Sequence, residues 1–70
     1  MPKFPVYTSR EVIRLLKQNA FVLDHVTGSH YVFYHPVTRR RVVVPFHTRD
    51  LPKGTLRVIL YQAGINFTDL

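Results

Sequence analysis

The chain has 70 residues and no cysteine, which excludes a disulfide framework and a thiolate metal site and fits a reducing cytoplasm. A chain this short has room for one domain, which hides only about 60% of the surface its unfolded form exposes; a hydrophobic fraction of 46% is nevertheless too high for disorder. Ten Lys+Arg against four Asp+Glu give a net charge of +6, which calls for an anionic partner: nucleic acid, an anionic membrane surface or an acidic protein. The membrane is the weakest of these, because no run approaches the ~20 apolar residues of a span. Residues 1–5 lack the apolar centre of a signal peptide. The expectation is a soluble, cytoplasmic protein without a membrane partner.

Residues 1–7 carry two prolines and read as an extended arm. Thr8-Ser9-Arg10-Glu11 has the pattern of a capping box, in which the Thr8 hydroxyl accepts from the Glu11 amide and the Glu11 carboxylate reaches back. Behind it Val12, Ile13, Leu15, Leu16 and Ala20 follow helical spacing, with Arg10, Arg14, Lys17 and Gln18 on the other side. This predicts a first helix ending near Asn19. Residues 21–26 are rich in β-branched and aromatic side chains and predict a strand. Thr27-Gly28-Ser29 is a turn, residues 30–35 a second strand, residues 36–39 a second turn and residues 40–44 a third strand, ended by Pro45. The short connections favour an antiparallel meander. Residues 46–51 form a loop. Pro52 suits the first position of a second helix, whose apolar stripe is Leu56, Ile59, Leu60 and Ala63 and whose stop is Gly64. Residues 66–69 can start one further turn. The predicted fold is α+β, in the order α-β-β-β-α, with a three-stranded antiparallel sheet and both helices on one face. That order is also the order of a double-stranded-RNA-binding domain, a fold-level analogy.

Four histidines stand at positions 25, 30, 35 and 47. The even spacing of the first three invites a metal-site reading, but side chains alternate along a strand, so His30 and His35 point to opposite faces. His30 differs by its place, at the head of a strand behind a glycine turn. An imidazole exchanges protons near neutral pH, so this one can deprotonate a ribose 2′-hydroxyl or protonate a leaving 5′-oxygen. Spacing alone favours a hydrogen-bonded strand residue over a catalytic one. Ser29 can position a phosphate or cap its own turn. Adjacent on an extended chain, Ser29 and His30 diverge, which argues against a Ser-His-Asp triad.

Arg39-Arg40-Arg41 is the densest cluster of charge. If extended, it places Arg39 and Arg41 on one face and Arg40 on the other. Lys53 and Arg57 lie one turn apart at the start of the second helix, where free amides also favour a phosphate. Tyr31, Phe33 and Tyr34 can stack on bases but read more naturally as core. Parity groups His30 with Val32 and Tyr34, and Tyr31 with Phe33 and His35; it does not say which group faces the helices. Gly54-Thr55 lacks the flanking residues of a phosphate loop.

Several segments together resemble the HicA toxin family, the RNA-cleaving half of toxin–antitoxin pairs. They are Ser9-Arg10-Glu11-Val12-Ile13 with Leu16, Phe21, Gly28-Ser29-His30, Val42-Val43-Val44-Pro45 with His47, and Lys53-Gly54-Thr55-Leu56 running into Ile59 and Ala63-Gly64-Ile65. The resemblance spans nearly the whole chain as a single domain, residues 1–70. It implies a double-stranded-RNA-binding-domain-like fold and metal-independent endonucleolytic cleavage of mRNA, with no cofactor. It places the catalytic histidine at His30 and implies a HicB-like antitoxin as partner. Two positions depart from the pattern: Thr27 replaces a basic residue before the motif glycine, and Ala20 replaces a glycine before Phe21.

The leading expectation is a toxin ribonuclease that is monomeric when free. His30 is its general acid or base, His47 the first candidate for a second such group, and Lys53 a candidate to stabilise charge on the phosphorane. Ser29, Lys17, Arg39, Arg41, His47, Lys53 and Arg57 are the residues expected to hold RNA. The alternatives are a non-catalytic RNA-binding module of the same shape and an adaptor whose basic face holds an acidic protein.

Overall fold

The computed structural model describes residues 5–70; the first four residues of the predicted arm lie outside this range. The elements are α1 (Ser9–Gln18), β1 (Val22–Thr27), β2 (His30–Tyr34), β3 (Arg41–Pro45), α2 (Lys53–Ala63) and a terminal 3₁₀ turn (Phe67–Asp69). This is the expected order. α1 starts on the predicted capping box: the Glu11 amide donates to the Thr8 hydroxyl at 3.2 Å, and the Thr8 amide donates to the Glu11 carboxylate at 2.8 Å.

Strand limits differ from the expected ones by a residue or so, for identifiable reasons. Phe21 belongs to the end of α1, not to β1, because its amide donates to the Leu16 carbonyl at 3.0 Å. His35 organises the second turn instead of extending β2. Its Nδ1 accepts from the amides of Val37 and Thr38, both at 3.1 Å, and its ring meets the Phe21 ring edge-on at 5.1 Å. Pro45 is the last residue of β3. Pro52 flanks α2 instead of starting it, since its ψ of 145° is extended.

The three strands form an antiparallel sheet in the order β1-β2-β3. In β2 and β3 the pairs Tyr31↔Val44 and Phe33↔Val42 face inward, while His30↔Pro45, Val32↔Val43 and Tyr34↔Arg41 face outward. Phe33, Val42 and Val44 are sealed, and the stripes of both helices close over them: Val12 and Leu16 from α1, and Leu56, Ile59, Leu60 and Ala63 from α2. Both helices pack on β3, which places them on the same face. The helices cover β1 less than β3, and its inward Leu23 and Val26 stay about half exposed, at 48% and 46%. A bulge between Leu23 and His25 inserts Asp24 as an extra residue.

Both helices end in the same way. After α1, Ala20 donates to Lys17 and Phe21 to Leu16; after α2, Gly64 donates to Tyr61 and Ile65 to Leu60. These paired bonds make the Schellman motif, which requires a left-handed residue at the turn. Gly64 supplies it at φ 72°, and Ala20 is forced into it at φ 68°. Gly64 also leaves room for the Arg40 guanidinium, because a Cβ there would sit 2.9 Å from Arg40 Cζ. A left-handed L-residue costs roughly 1–2 kcal/mol, partly offset by the lower unfolded-state entropy of alanine. Ala20→Gly is therefore expected to stabilise the fold by about 0.5–1 kcal/mol, and Gly64→Ala to destabilise it by a similar amount. Urea titration of the three proteins reads both signs.

Candidate functional site at the hairpin end of the sheet

A two-residue hairpin, Gly28-Ser29, joins β1 to β2. Gly28 has φ 58° and Ser29 is not left-handed, the pattern of a type II′ turn with glycine first. His30 follows, paired with Thr27 on one side and Pro45 on the other. The Ser29 carbonyl accepts from the Phe46 amide at 2.6 Å, so the backbone at the base of His30 is tied to both neighbouring strands. Its ring lies on the outer face, exposed, with no hydrogen bond among the described residues. The opposite parity group is the one that enters the core. Phe33 is buried, Tyr31 packs beside the core and against Phe46, and Tyr34 remains outside.

The same end of the sheet receives the starts of both helices. Ser9, the first residue of α1, is completely buried; its hydroxyl donates to the Pro45 carbonyl at 2.7 Å and accepts from the His47 amide at 3.0 Å. α2 is oriented by its other end. The Gln62 side chain accepts from the Val43 amide on the edge of β3, and Arg40 Nη1 donates to the Gln62 carbonyl, both at 3.3 Å. An eleven-residue helix rises about 16 Å and a five-residue strand spans about the same length, so Lys53 stands at the Pro45 end. The α2 start has no side-chain cap and no acid in its first turn, which leaves its amides and dipole favourable to an anion. Two shallow clefts border His47. One, of about 320 Å³, is lined by Thr8, Arg10, Phe46 and Thr48; the other, of about 380 Å³, by Thr48, Arg49, Asp50 and Pro52.

The residues expected to hold RNA fall into two groups. Ser29, His47 and Lys53 gather at the His30 end, with Arg57 one turn along α2. Lys17, in the last turn of α1, Arg39, in the loop before β3, and Arg41, at the start of β3, lie at the opposite end. Arg41 pairs with Tyr34, four residues from His30, or roughly 13 Å along the strand. The arginine triplet is not an extended run. Arg39 is left-handed at φ 66°, Arg40 caps the C-terminus of α2, and Arg41 lies over the Tyr34 ring at 4.9 Å and pairs with Asp24 at 3.2 Å. Arg10 and Arg49 beside His47 went unmarked in the sequence, having no pattern that separates them from other surface cations. For Ser9 the sequence signals only a place in the helix start and in the segment that resembles the HicA family.

The even histidine spacing dissolves in three dimensions. His30 is outside, His35 is turned inward against Phe21, and His25 is bonded to Asp24 through Nδ1 at 2.7 Å. Among the described residues no three of His, Asp and Glu come together as a metal site. No helix among them is long and apolar enough to cross a membrane. Two carboxyls are held below their ordinary range: Asp24 by its bond to His25 and then by Arg41, and Glu11 by the Thr8 amide and hydroxyl, with Arg14 adding a smaller effect.

These features define a class: a small basic α+β protein that shows an open histidine on a glycine hairpin, beside the starts of two helices. Residues 9–65 match the family model described as the HicA toxin of bacterial toxin-antitoxin, and the chain belongs to that family. It is a toxin of a toxin–antitoxin pair. Comparison with curated proteins gives no match.

Ser9→Ala is expected to cost about 1–3 kcal/mol, because it leaves the Pro45 carbonyl and the His47 amide without their partner; thermal and urea unfolding measure it. The two lowered carboxyls fix a second outcome. An unfolded state with higher pKa values binds more protons, so stability rises with pH through this range. The contribution of Asp24 and Glu11 is complete above the ordinary carboxylate range and is lost as pH falls through their lower folded values. The urea midpoint should therefore drop on acidification from about pH 5 to pH 3, and less steeply in the Asp24→Asn, Glu11→Gln double variant.

Proposed function

We propose that this toxin is a metal-independent endoribonuclease that cleaves mRNA by the 2′-hydroxyl route, with His30 as a general acid–base group. The observation that carries the reading is the His30 ring: open to solvent, on a backbone held by both flanking strands, at the end of the sheet where α1 and α2 begin. A proton-transfer group must be reachable and fixed in position, and a strand-head histidine after a tight turn meets both needs. The hydroxyl of the ribose attacks the adjacent phosphorus, the bond to the 5′-oxygen breaks, and the products carry a 2′,3′-cyclic phosphate and a 5′-hydroxyl.

Binding rests on charge. Ser29, His47, Lys53 and Arg57 serve the RNA near the scissile bond, with Lys53 and the open α2 start placed to stabilise negative charge. Lys17, Arg39 and Arg41 extend the contact along the RNA backbone. The order α-β-β-β-α is that of double-stranded-RNA-binding domains, which read shape and 2′-hydroxyls more than sequence. The partner that silences the toxin is a HicB-like antitoxin, and the site of action is the cytoplasm, where mRNA is found.

The test is incubation of the purified protein with an end-labelled transcript in chelator, wild type beside His30→Ala, with end-group analysis. Wild type should yield cyclic-phosphate and 5′-hydroxyl ends, and His30→Ala should cleave about 10²–10⁴-fold more slowly. Cleavage at subsaturating RNA should fall steeply with salt, because phosphate contacts release counterions. Equal cleavage by the two proteins overturns the role of His30. Tight binding with intact RNA ends identifies a non-catalytic RNA-binding module instead.

A further inference from the structure

The outer face of the sheet holds a second histidine beside the first. The register pairs Thr27 with His30 and His25 with Val32, so His25 and His30 are diagonal neighbours across β1 and β2 on one face. Such positions are about 7–8 Å apart. Thr27 and Val32 complete the same four-residue patch and form the floor between the two rings. Both imidazoles are exposed. Groups with a reach of about 3 Å each, spaced this way, can flank a single phosphodiester.

The two histidines differ in what holds them. Asp24, the extra residue of the β1 bulge, meets His25 Nδ1 at 2.7 Å. The same carboxylate oxygen is held by Arg41 at 3.2 Å, and Arg41 is seated over Tyr34 at 4.9 Å. The carboxylate is an acceptor, so Nδ1 is the donor of this bond, and in the neutral ring the lone pair is then the one on Nε2. A carboxylate behind an imidazole also stabilises the imidazolium that forms when Nε2 takes a proton. His47 has no such support: its amide bonds to Ser9, and its ring makes no hydrogen bond among the described residues.

We infer that His25 is the second acid–base group of this site and acts as the general base, with Asp24 as its positioning residue and His30 as the general acid. The inference rests on the ribonuclease reading above and deepens it. His25 Nε2 takes the 2′-hydroxyl proton as O2′ bonds to phosphorus. The bond from phosphorus to O5′ breaks, and protonated His30 gives its proton to O5′. One proton is gained and one lost, so no co-reactant is needed. The ionisable and charged groups facing His25 are Asp24 on its own strand, His30 and Tyr34 on β2, and Arg41 on β3; the helices pack on the other face.

The experiment uses one oligoribonucleotide in two forms, natural and with sulfur in place of the bridging 5′-oxygen. A thiolate leaves without help from an acid. His25→Ala and His25→Gln should each lose about 10²–10⁴-fold on both forms, while His30→Ala should lose as much on the natural form and recover on the sulfur form. The acid limb of the pH–rate profile, which reports the base, should be lost in His25→Ala and shifted in Asp24→Asn. Circular dichroism verifies folding, and His25→Gln keeps the bulk of the ring if His25→Ala unfolds. Wild-type cleavage by His25→Gln, with His30→Ala inactive, overturns this inference and leaves the ribonuclease reading in place. Recovery of the His25 variants on the sulfur form overturns the base assignment. No cleavage by the wild type ends both readings.

Discussion

The structure depends on one face of a three-stranded sheet being sealed while the other stays open. Phe33, Val42 and Val44 are each 1% exposed or less, and burying side chains of this kind contributes roughly 1.5–3 kcal/mol apiece. Strand side chains alternate strictly, so a slip of one residue would expose that whole set and push His30, Tyr34 and Arg41 under the helices. The burial of Phe33 is therefore also the reason that the His30 ring is outside. The position of the candidate catalytic group follows from packing three residues away, without any contact of its own.

Direction along the sheet is set by polar bonds at the helix ends. Ser9 joins the start of α1 to Pro45 and His47, while Arg40 and Gln62 join the end of α2 to the start of β3. Apolar burial is non-directional and would tolerate a helix that slides by a turn; these bonds do not. Together they bring both helix starts, which carry partial positive charge, to the end of the sheet where the glycine hairpin lies. A basic composition is made local in this way, with Lys53, Arg10 and Arg49 at one end, and with Arg40 and Arg41 held at the other by a helix terminus and a carboxylate.

Much of the fold was legible because its signals are short-range. The capping box at Thr8, the glycine before Ser29, the glycine after α2 and the helical stripes each act within a few residues of chain, and each forms where the pattern placed it, except that Ala20, expected in the first stripe, lies exposed beyond the end of α1. The order of elements and the antiparallel meander followed from them. What was not legible depends on three-dimensional geometry that the residue pattern does not carry, some of it set by contacts distant in sequence. Parity divided β2 into two groups, but only the packing of β3 against both helices assigned Phe33 to the core. The turn role of His35 depends on amides that come into range once residues 36–38 curl back. Arg40 resembles its neighbours in the sequence and differs only because the end of α2, more than twenty residues away, stops beside it. The bulge that pairs Asp24 with His25 has no local signature, which is why His47 stood ahead of His25 as a second acid–base candidate.

Asp24 is the most demanding residue to place on such a face. The chain has four acidic residues in all, and on a surface proposed to meet RNA a carboxylate would repel the phosphates that arginines attract. Its charge is answered locally, since Arg41 and His25 share one carboxylate oxygen. The repulsion at longer range is correspondingly weak in salt, where opposed charges within a few ångströms act as a neutral group beyond about 10 Å. An orienting carboxylate that does not drive the ligand away needs this kind of arrangement. Arg41 therefore holds Asp24 on the outer face, and under the ribonuclease reading proposed above it meets the RNA backbone from that position, at the end of the strand opposite His30.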